Sequence, residues 1–353
     1  MIPTSLRPAL FVLALLALGP VQFVYALTLP EALNRVEARS SVVSARTERR
    51  DAQANLERAL RDPLAVRADT LQAEQRLSLA EASLERARYA ALSELTNAYT
   101  GVLQVNEQAA LAERGLALSE RSLEIATIRL ENGSATQLDL GDAQASLDEA
   151  QNTLRAAREA RDLALNNLAS ILGEEVEAAD LEGIPGTFFA ELPPLEAALE
   201  SAERHPDLLS VEQQAELAAL SADVLDPLYA PQTQIDTAES QLASARSAFE
   251  ETRRGFLLQV RNLYSQAENA RETLRLEAAS LANARARLQT QRQRLEGGLI
   301  SQIEFEQAVV ATAQARLEAE GARVGYLSAL LELQAGSLVP LGGPFAASLG
   351  GER

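Results

Sequence analysis

The sequence predicts a mainly all-α protein made of two copies of one long helical hairpin. Three observations predict it. First, the chain repeats itself: Arg129-Leu130-Glu131-Asn132-Gly133-Ser134-Ala135-Thr136-Gln137-Leu138-Asp139-Leu140 returns as Arg294-Leu295-Glu296-Gly297-Gly298-Leu299-Ile300-Ser301-Gln302-Ile303-Glu304-Phe305, an offset of 165 residues. Second, strong helix formers run on for very long stretches. Third, apolar residues recur every seven positions, the period of packed, supercoiled helices. A repeat this long exceeds the ~20–50 residues of a solenoid unit, so it reads as a duplicated half-protein.

Residues 1–26 read as a secretory signal. Arg7 supplies the basic start, Ala9 to Leu18 the short apolar core, and Val24-Tyr25-Ala26 a small-residue cleavage site. The apolar run is shorter than the ~20 residues of an ordinary spanning helix. The first repeat is expected over 27–173. From Arg67 to Glu131 there is no proline, and Gly101 and Gly115 are the only glycines. At ~1.5 Å per residue that helix would be on the order of 95 Å long, and it needs a partner along its whole length.

The seam says what the partner is. Leu116, Leu123 and Leu130 are seven apart, as are Leu111, Leu118 and Ile125. On the return arm Leu140, Leu147 and Leu154 form one row, and Ala143, Ala150, Ala157, Ala164 and Ile171 form the other. The second repeat, 195–336, copies this with Leu274, Leu281, Leu288 and Leu295, and with the small row Ala308, Thr312, Ala315, Ala319 and Ala322. Small seam residues let helix backbones come close. Asn132-Gly133 and Gly297-Gly298 suit the positive φ that ends a helix, and Thr136 and Ser301 are placed to cap the return helices. The arms therefore reverse at these turns, unlike a long dimeric coiled coil. Proline and glycine between 174 and 194 mark a linker, and those between 337 and 353 mark a mobile C-terminal tail.

Composition narrows function. The net charge of −18 gives no basic face for nucleic acid. With no Cys and a single His, His205, there is no thiol centre, disulfide or Cys–zinc site. His205 precedes Pro206 at a helix start and reads as a cap rather than a catalytic group. Glu174, Glu175 and Glu177 lack metal-loop spacing. The chain is expected to be no enzyme and to need no cofactor or metal.

Taken together, these segments resemble the TolC-like outer-membrane efflux family. Leu27-Thr28-Leu29-Pro30-Glu31-Ala32-Leu33 is similar to the family's N-terminal helix start, Glu203-Arg204-His205-Pro206-Asp207-Leu208 to the start of its second half, and Leu172-Gly173 to the end of its return helix. The resemblance implies a trimeric tube of twelve helices. Such a tube is the exit duct of a tripartite transport system and docks to a periplasmic adaptor beneath an inner-membrane pump. It also implies a cell-envelope location, in the outer membrane or periplasm. The family's β-hairpins have no room here. Both first helices end at the triplet Asp62-Pro63-Leu64 or Asp226-Pro227-Leu228, followed by Ala65 to Thr70 or by one short strand at Tyr229 to Asp236. The β-barrel strands are thus expected to be short or absent.

By the same resemblance, Gly133, Ser134, Gly298, Leu299 and Ile300 form an exposed adaptor-docking tip, and Asp139 and Glu304 are acids at the pore entrance. The alternatives from the residues alone are turn chemistry for the tips and helix N-terminal acids for the carboxylates. Two further readings of the whole chain stand beside the duct: a non-transporting periplasmic spacer built from the same hairpins, and a periplasmic adaptor. Adaptors carry one hairpin between β-rich domains, whereas this sequence has two hairpins.

Overall fold

The 165-residue offset reappears as two helical hairpins of equal dimensions. A computed structural model describes residues 27–178, 181–189, 191–226, 228–342 and 345. The expected signal segment, 1–26, lies outside the described residues. The α-helices among them are α1 (Leu29–Leu33), α2 (Ser40–Arg61), α3 (Arg67–Glu131), α4 (Gln137–Leu172), α5 (Leu195–Ala202), α6 (Pro206–Asp223), α7 (Gln232–Glu296) and α8 (Gln302–Ser337). Helices α3 and α7 each have 65 residues, and α4 and α8 each have 36. At 1.5 Å per residue α3 and α7 are about 98 Å long.

The helices lie side by side. Toward the turns the order is α4, α3, α8, α7; toward the other end it is α2, α3, α6, α7. Helix α3 is therefore central in both tiers, and it buries Leu84, Leu92, Leu95, Tyr99 and Val102. Helix α7 stands at an edge and buries only Ala238, Val260 and Ala267. Repeats of equal helix length thus differ in burial, α3 lying between neighbours and α7 at an edge.

The main core sits at the waist between the tiers. Leu29, Leu33 and Val36 meet Leu92, Leu95 and Tyr99 of α3, Leu168 of α4, and Leu327, Leu330 and Leu331 of α8. Above it the arms are held by a thin seam in which Leu154 and Ala157, both read from the sequence, pack with Ala109 and Ala112, which lay outside the rows named there. Alanine removes little area from water, at ~25 cal/mol per Å², so the arms depend on length rather than on a few large contacts. Exposed ion pairs such as Arg158–Glu113 at 3.2 Å and Arg316–Glu107 at 2.5 Å contribute at most about 1 kcal/mol each.

At the waist, short helices continue the return arms. Arg35 and Arg39 donate to the Leu172 and Ile171 carbonyls at 3.2 and 3.0 Å, closing the end of α4 against the start of α2. His205 makes the matching joint. It is the N-cap of α6, its Nδ1 accepting the Asp207 N–H at 3.3 Å, and its ring also bonds the Ala335 carbonyl of α8 and lies 4.6 Å from the Phe256 ring.

The linker is packed across this core. Leu27 and Leu181 form an isolated parallel β-bridge, and Tyr99 clamps the two segments by donating to the Leu27 and Glu182 carbonyls at 2.8 and 2.7 Å. Phe188 is buried edge-to-face against Phe345, their centroids 5.1 Å apart. The expectation of a mobile tail from 337 is corrected here. Ser337 closes α8, and Leu338, Val339, Leu341 and Phe345 are buried because the waist offers them apolar contacts. The remaining tail residues, 343–344 and 346–353, lie outside the described set.

At the end opposite the glycine turns, five residues (62–66) join α2 to α3 and eight (224–231) join α6 to α7. A membrane-spanning strand alone takes ~9–11 residues. The short strand expected at Tyr229 to Asp236 does not form. Tyr229 and Ala230 instead turn back on the Asp226 carbonyl at 3.0 and 2.8 Å, and α7 has already begun at Gln232 after Pro231. Among the described residues no helix is long and apolar enough to cross a membrane.

Candidate functional site

The two glycine turns lie toward the same end of the molecule, since α3 and α8 pack antiparallel, pairing Glu107 with Arg316 and Asn97 with Ser328. Their geometry is the same to the atom. Gly133 has φ 68° and Gly298 φ 66°. In the first, Gly133 N–H donates to Leu130 O at 2.9 Å and Ser134 N–H to Arg129 O at 2.8 Å. In the second, Gly298 N–H donates to Leu295 O at 2.9 Å and Leu299 N–H to Arg294 O at 2.8 Å. This pair of bonds is a Schellman closure, and it needs a left-handed residue at the glycine.

Each return helix then starts with a capping box. The Asp139 carboxylate accepts from Thr136 N–H and Oγ1–H at 2.7 and 2.8 Å, and Asp139 N–H donates to Thr136 Oγ1 at 3.2 Å. Glu304 accepts from Ser301 N–H and Oγ–H at 2.7 and 2.8 Å, and returns its N–H to Ser301 Oγ at 3.4 Å. The backbone N–H bond, then the hydroxyl bond, holds each carboxyl below its ordinary range. Both groups are thus fully charged, and both serve as helix caps.

Of the docking residues read from the sequence, Gly133, Ser134, Gly298 and Leu299 are exposed, Leu299 by 72%. Ile300 is only half-exposed, which corrects its place beside Leu299. Ile300 precedes the N-cap and Phe305 is the fourth helical residue, the two positions of a hydrophobic staple, and both are partly buried. The structure adds Leu138, also 72% exposed, and Ile128. The first turn is therefore apolar too. Its signal was available: Leu138 is two residues before the seam position Leu140, about 200° around the helix from the packed face.

Nothing at the tips resembles a catalytic centre, and no group of three His, Cys, Asp or Glu among the described residues is placed to hold a metal ion.

The sequence profile described as outer membrane efflux protein matches residues 33–174 and 230–336. No curated protein matches the sequence. Several solved structures share the fold. The outer membrane protein VceC of Vibrio cholerae superposes with a TM-score of 0.58 at 17% identity, over 88% of this chain and 96% of that one. The open state of the Neisseria gonorrhoeae MtrE outer membrane channel gives 0.59 at 15% identity, over 95% and 97%. CusC, described in terms of folding and transmembrane channel formation, gives 0.60 at 13% identity, over 88% and 95%.

Proposed function

Because the chain belongs to the outer membrane efflux protein family, a family of transport components rather than enzymes, we propose that it is one protomer of a helical exit duct. The observation that carries this reading is the single layer α4–α3–α8–α7. Its two edges are unlike and unpartnered, and both expose large apolar side chains: Leu163 on α4, Leu258 and Leu276 on α7. Unlike edges close head to tail, into a ring when the rotation fits. Three copies would give the twelve-helix tube that the family resemblance implies.

In that ring the tips gather at one mouth. Gly133, Ser134, Gly298 and Leu299, with Ile300 behind and Leu138 beside them, would meet a periplasmic adaptor protein of an inner-membrane pump. Asp139 and Glu304 would place six capped, ionised carboxylates around the entrance, a field that attracts cations and repels anions. The protein would work in the cell envelope after loss of its signal segment, at the outer membrane or in the periplasm.

The five- and eight-residue junctions favour a second reading, a periplasmic spacer that keeps the hairpins without transporting. Sedimentation of the purified chain separates the two. A trimer that Leu276→Glu converts to monomer supports the duct. A folded monomer at micromolar concentration refutes it.

A further inference from the structure

The two repeats close the same joint at the waist with different chemistry. In the first, Arg39 is the N-cap of α2, and its guanidinium donates to the Ile171 carbonyl in the last turn of α4. In the second, His205 is the N-cap of α6, and its ring bonds the Ala335 carbonyl in the last turn of α8. A guanidinium keeps its charge at every pH a protein meets, whereas an imidazole changes charge near about pH 6.5. His205 is the only His of the chain, and it is 2% exposed.

The hydrogen bonds fix the proton on this ring. A backbone N–H only donates, so the Asp207 N–H at 3.3 Å requires a bare Nδ1. The proton of the neutral ring is then on Nε2, which is left to donate to the Ala335 carbonyl. Carbonyls in the last turn of a helix have no partner within it. One neutral ring thus caps the start of α6 and the end of α8 at once. A second proton must go to Nδ1, where it sets two donors face to face. An acceptor stands beside them: Asp207 Oδ2 is 3.5 Å from Nδ1, while Asp207 Oδ1 holds Arg86 of α3 at 3.0 Å. The other elements bring no free charge to the ring. Helix α7 presents Phe256, and its Arg253 is held by Glu203 at 2.6 Å with Glu212 close by. Helix α8 presents the Ala335 carbonyl, and the Arg204 charge bears on the Tyr89 phenol of α3.

We propose that His205 is a proton-operated joint: on protonation it exchanges the Asp207 amide for the Asp207 carboxylate, uncapping the start of α6 while it keeps its bond to α8. The Nε2–H is present in both forms, and positive charge strengthens its bond to a carbonyl at a helix C-terminus. Asp207 then bridges the imidazolium and Arg86, one oxygen to each. Burial opposes the charged ring and Arg86 adds to that, while Asp207 favours it, so the exchange falls below about pH 6.5. The Arg39 joint of the first repeat does not respond. Acid therefore loosens one helix start at the waist and leaves its counterpart closed. The joint works alike in a lone protomer and in a ring.

With one His in the chain, isotopically labelled histidine gives a single imidazole to follow by nitrogen NMR in the full-length protein. At about pH 8, Nδ1 should resonate as a bare nitrogen and Nε2 as a protonated one; below the midpoint both should be protonated. Amide protection at Asp207, corrected for intrinsic exchange, should fall about fivefold across that midpoint, the factor a helix cap is worth. Protection at Leu338, whose N–H donates to the Gln334 carbonyl at 2.7 Å, should not change. Asp207→Asn should lower the midpoint by about one unit, and Arg86→Gln should raise it. His205→Asn keeps a capping oxygen and cannot titrate, so the Asp207 amide should stay protected throughout. A proton on Nδ1 at about pH 8 would overturn the proposal, as would an Asp207 amide equally protected on both sides of the midpoint. Equal loss of protection at Asp207 and Leu338 would overturn it too, by marking general unfolding. So would a midpoint that neither Asp207→Asn nor Arg86→Gln moves.

Discussion

Tyr99→Phe tests the clamp at the waist. The Tyr99 side chain is fully buried, and its hydroxyl sits 2.8 Å from the Leu27 carbonyl and 2.7 Å from the Glu182 carbonyl. It is the link between the N-terminal segment and the linker, whose own contact is the long Glu182 N–H to Leu27 O bond of 3.4 Å. Phenylalanine keeps the ring and its packing, so cavity formation adds little. The loss is the shared donor of two part-buried hydrogen bonds, and an unsatisfied buried polar group costs about 1–3 kcal/mol. Denaturant unfolding at fixed protein concentration should show that loss as a lower midpoint with an unchanged slope. Amide exchange at Glu182 should quicken in parallel. Tyr264→Phe, the matched position in the second repeat and only partly buried, is the control and should stay within about 0.5 kcal/mol of wild type, the range usual for substitutions away from buried networks. Burial also pushes the Tyr99 phenol up to about 12. Its folded pKa is above its unfolded one, so its contribution is present below about pH 10 and is lost as pH rises toward about pH 12. Tyr99→Phe should remove that part of the alkaline loss. Equal stability of Tyr99→Phe and wild type would refute the clamp.

Four other outcomes follow from the same geometry. Burial holds the His205 imidazole below its ordinary value, so stability should fall as pH drops below about 6.5 and level off under the folded pKa; urea midpoints at several pH values check this, and His205→Asn should flatten the slope. Gly298→Val forces a β-branched residue to φ 66° and should cost about 1–2 kcal/mol by thermal unfolding, with the ring intact and adaptor capture weakened further than stability. Asp139→Ala and Glu304→Ala remove one side of each capping box, and amide exchange should speed up at Thr136 and Ser301 while the waist stays protected. Leu138→Asp and Leu299→Asp should each lower adaptor cross-linking without changing the oligomer measured by sedimentation.

What was legible in the sequence was what local chemistry decides. The glycine turns, their caps and the bounds of the long helices follow from helix propensity, positive φ and hydroxyl caps, and all of these are written twice at a fixed offset. What was missed depends on neighbours. Leu116 and Leu281 hold the same place in the repeat, yet the helix around one is central and the other an edge, and no local rule says which. Phe188 and Phe345 are far apart in sequence and sit in segments rich in proline or glycine, so their meeting in the core had no periodic signal. Ile300 read as exposed because it follows a turn, whereas it is partly buried at the position of a hydrophobic staple whose other member, Phe305, lies five residues on. Leu64 and Leu228 were read as the ends of helices. Their exposure became visible only when both junctions proved too short to fold back on anything.

The matched lengths of α3 with α7 and of α4 with α8 restrict how this architecture can change size. Removing one residue from α3 would shorten it by about 1.5 Å and rotate everything beyond by about 100°, turning the alanine seam away from α4. Only a step of seven residues keeps the seam facing its partner, and the same step must be made in α4 or the turn no longer meets its cap. Because α8 packs along α3, α7 and α8 must change with them. Reach is therefore quantised: a longer or shorter relative should differ by multiples of about 10.5 Å, entered four times over in a single coding sequence. A deletion outside that rule in any one arm would shift one tip relative to the other, in a molecule still helical throughout.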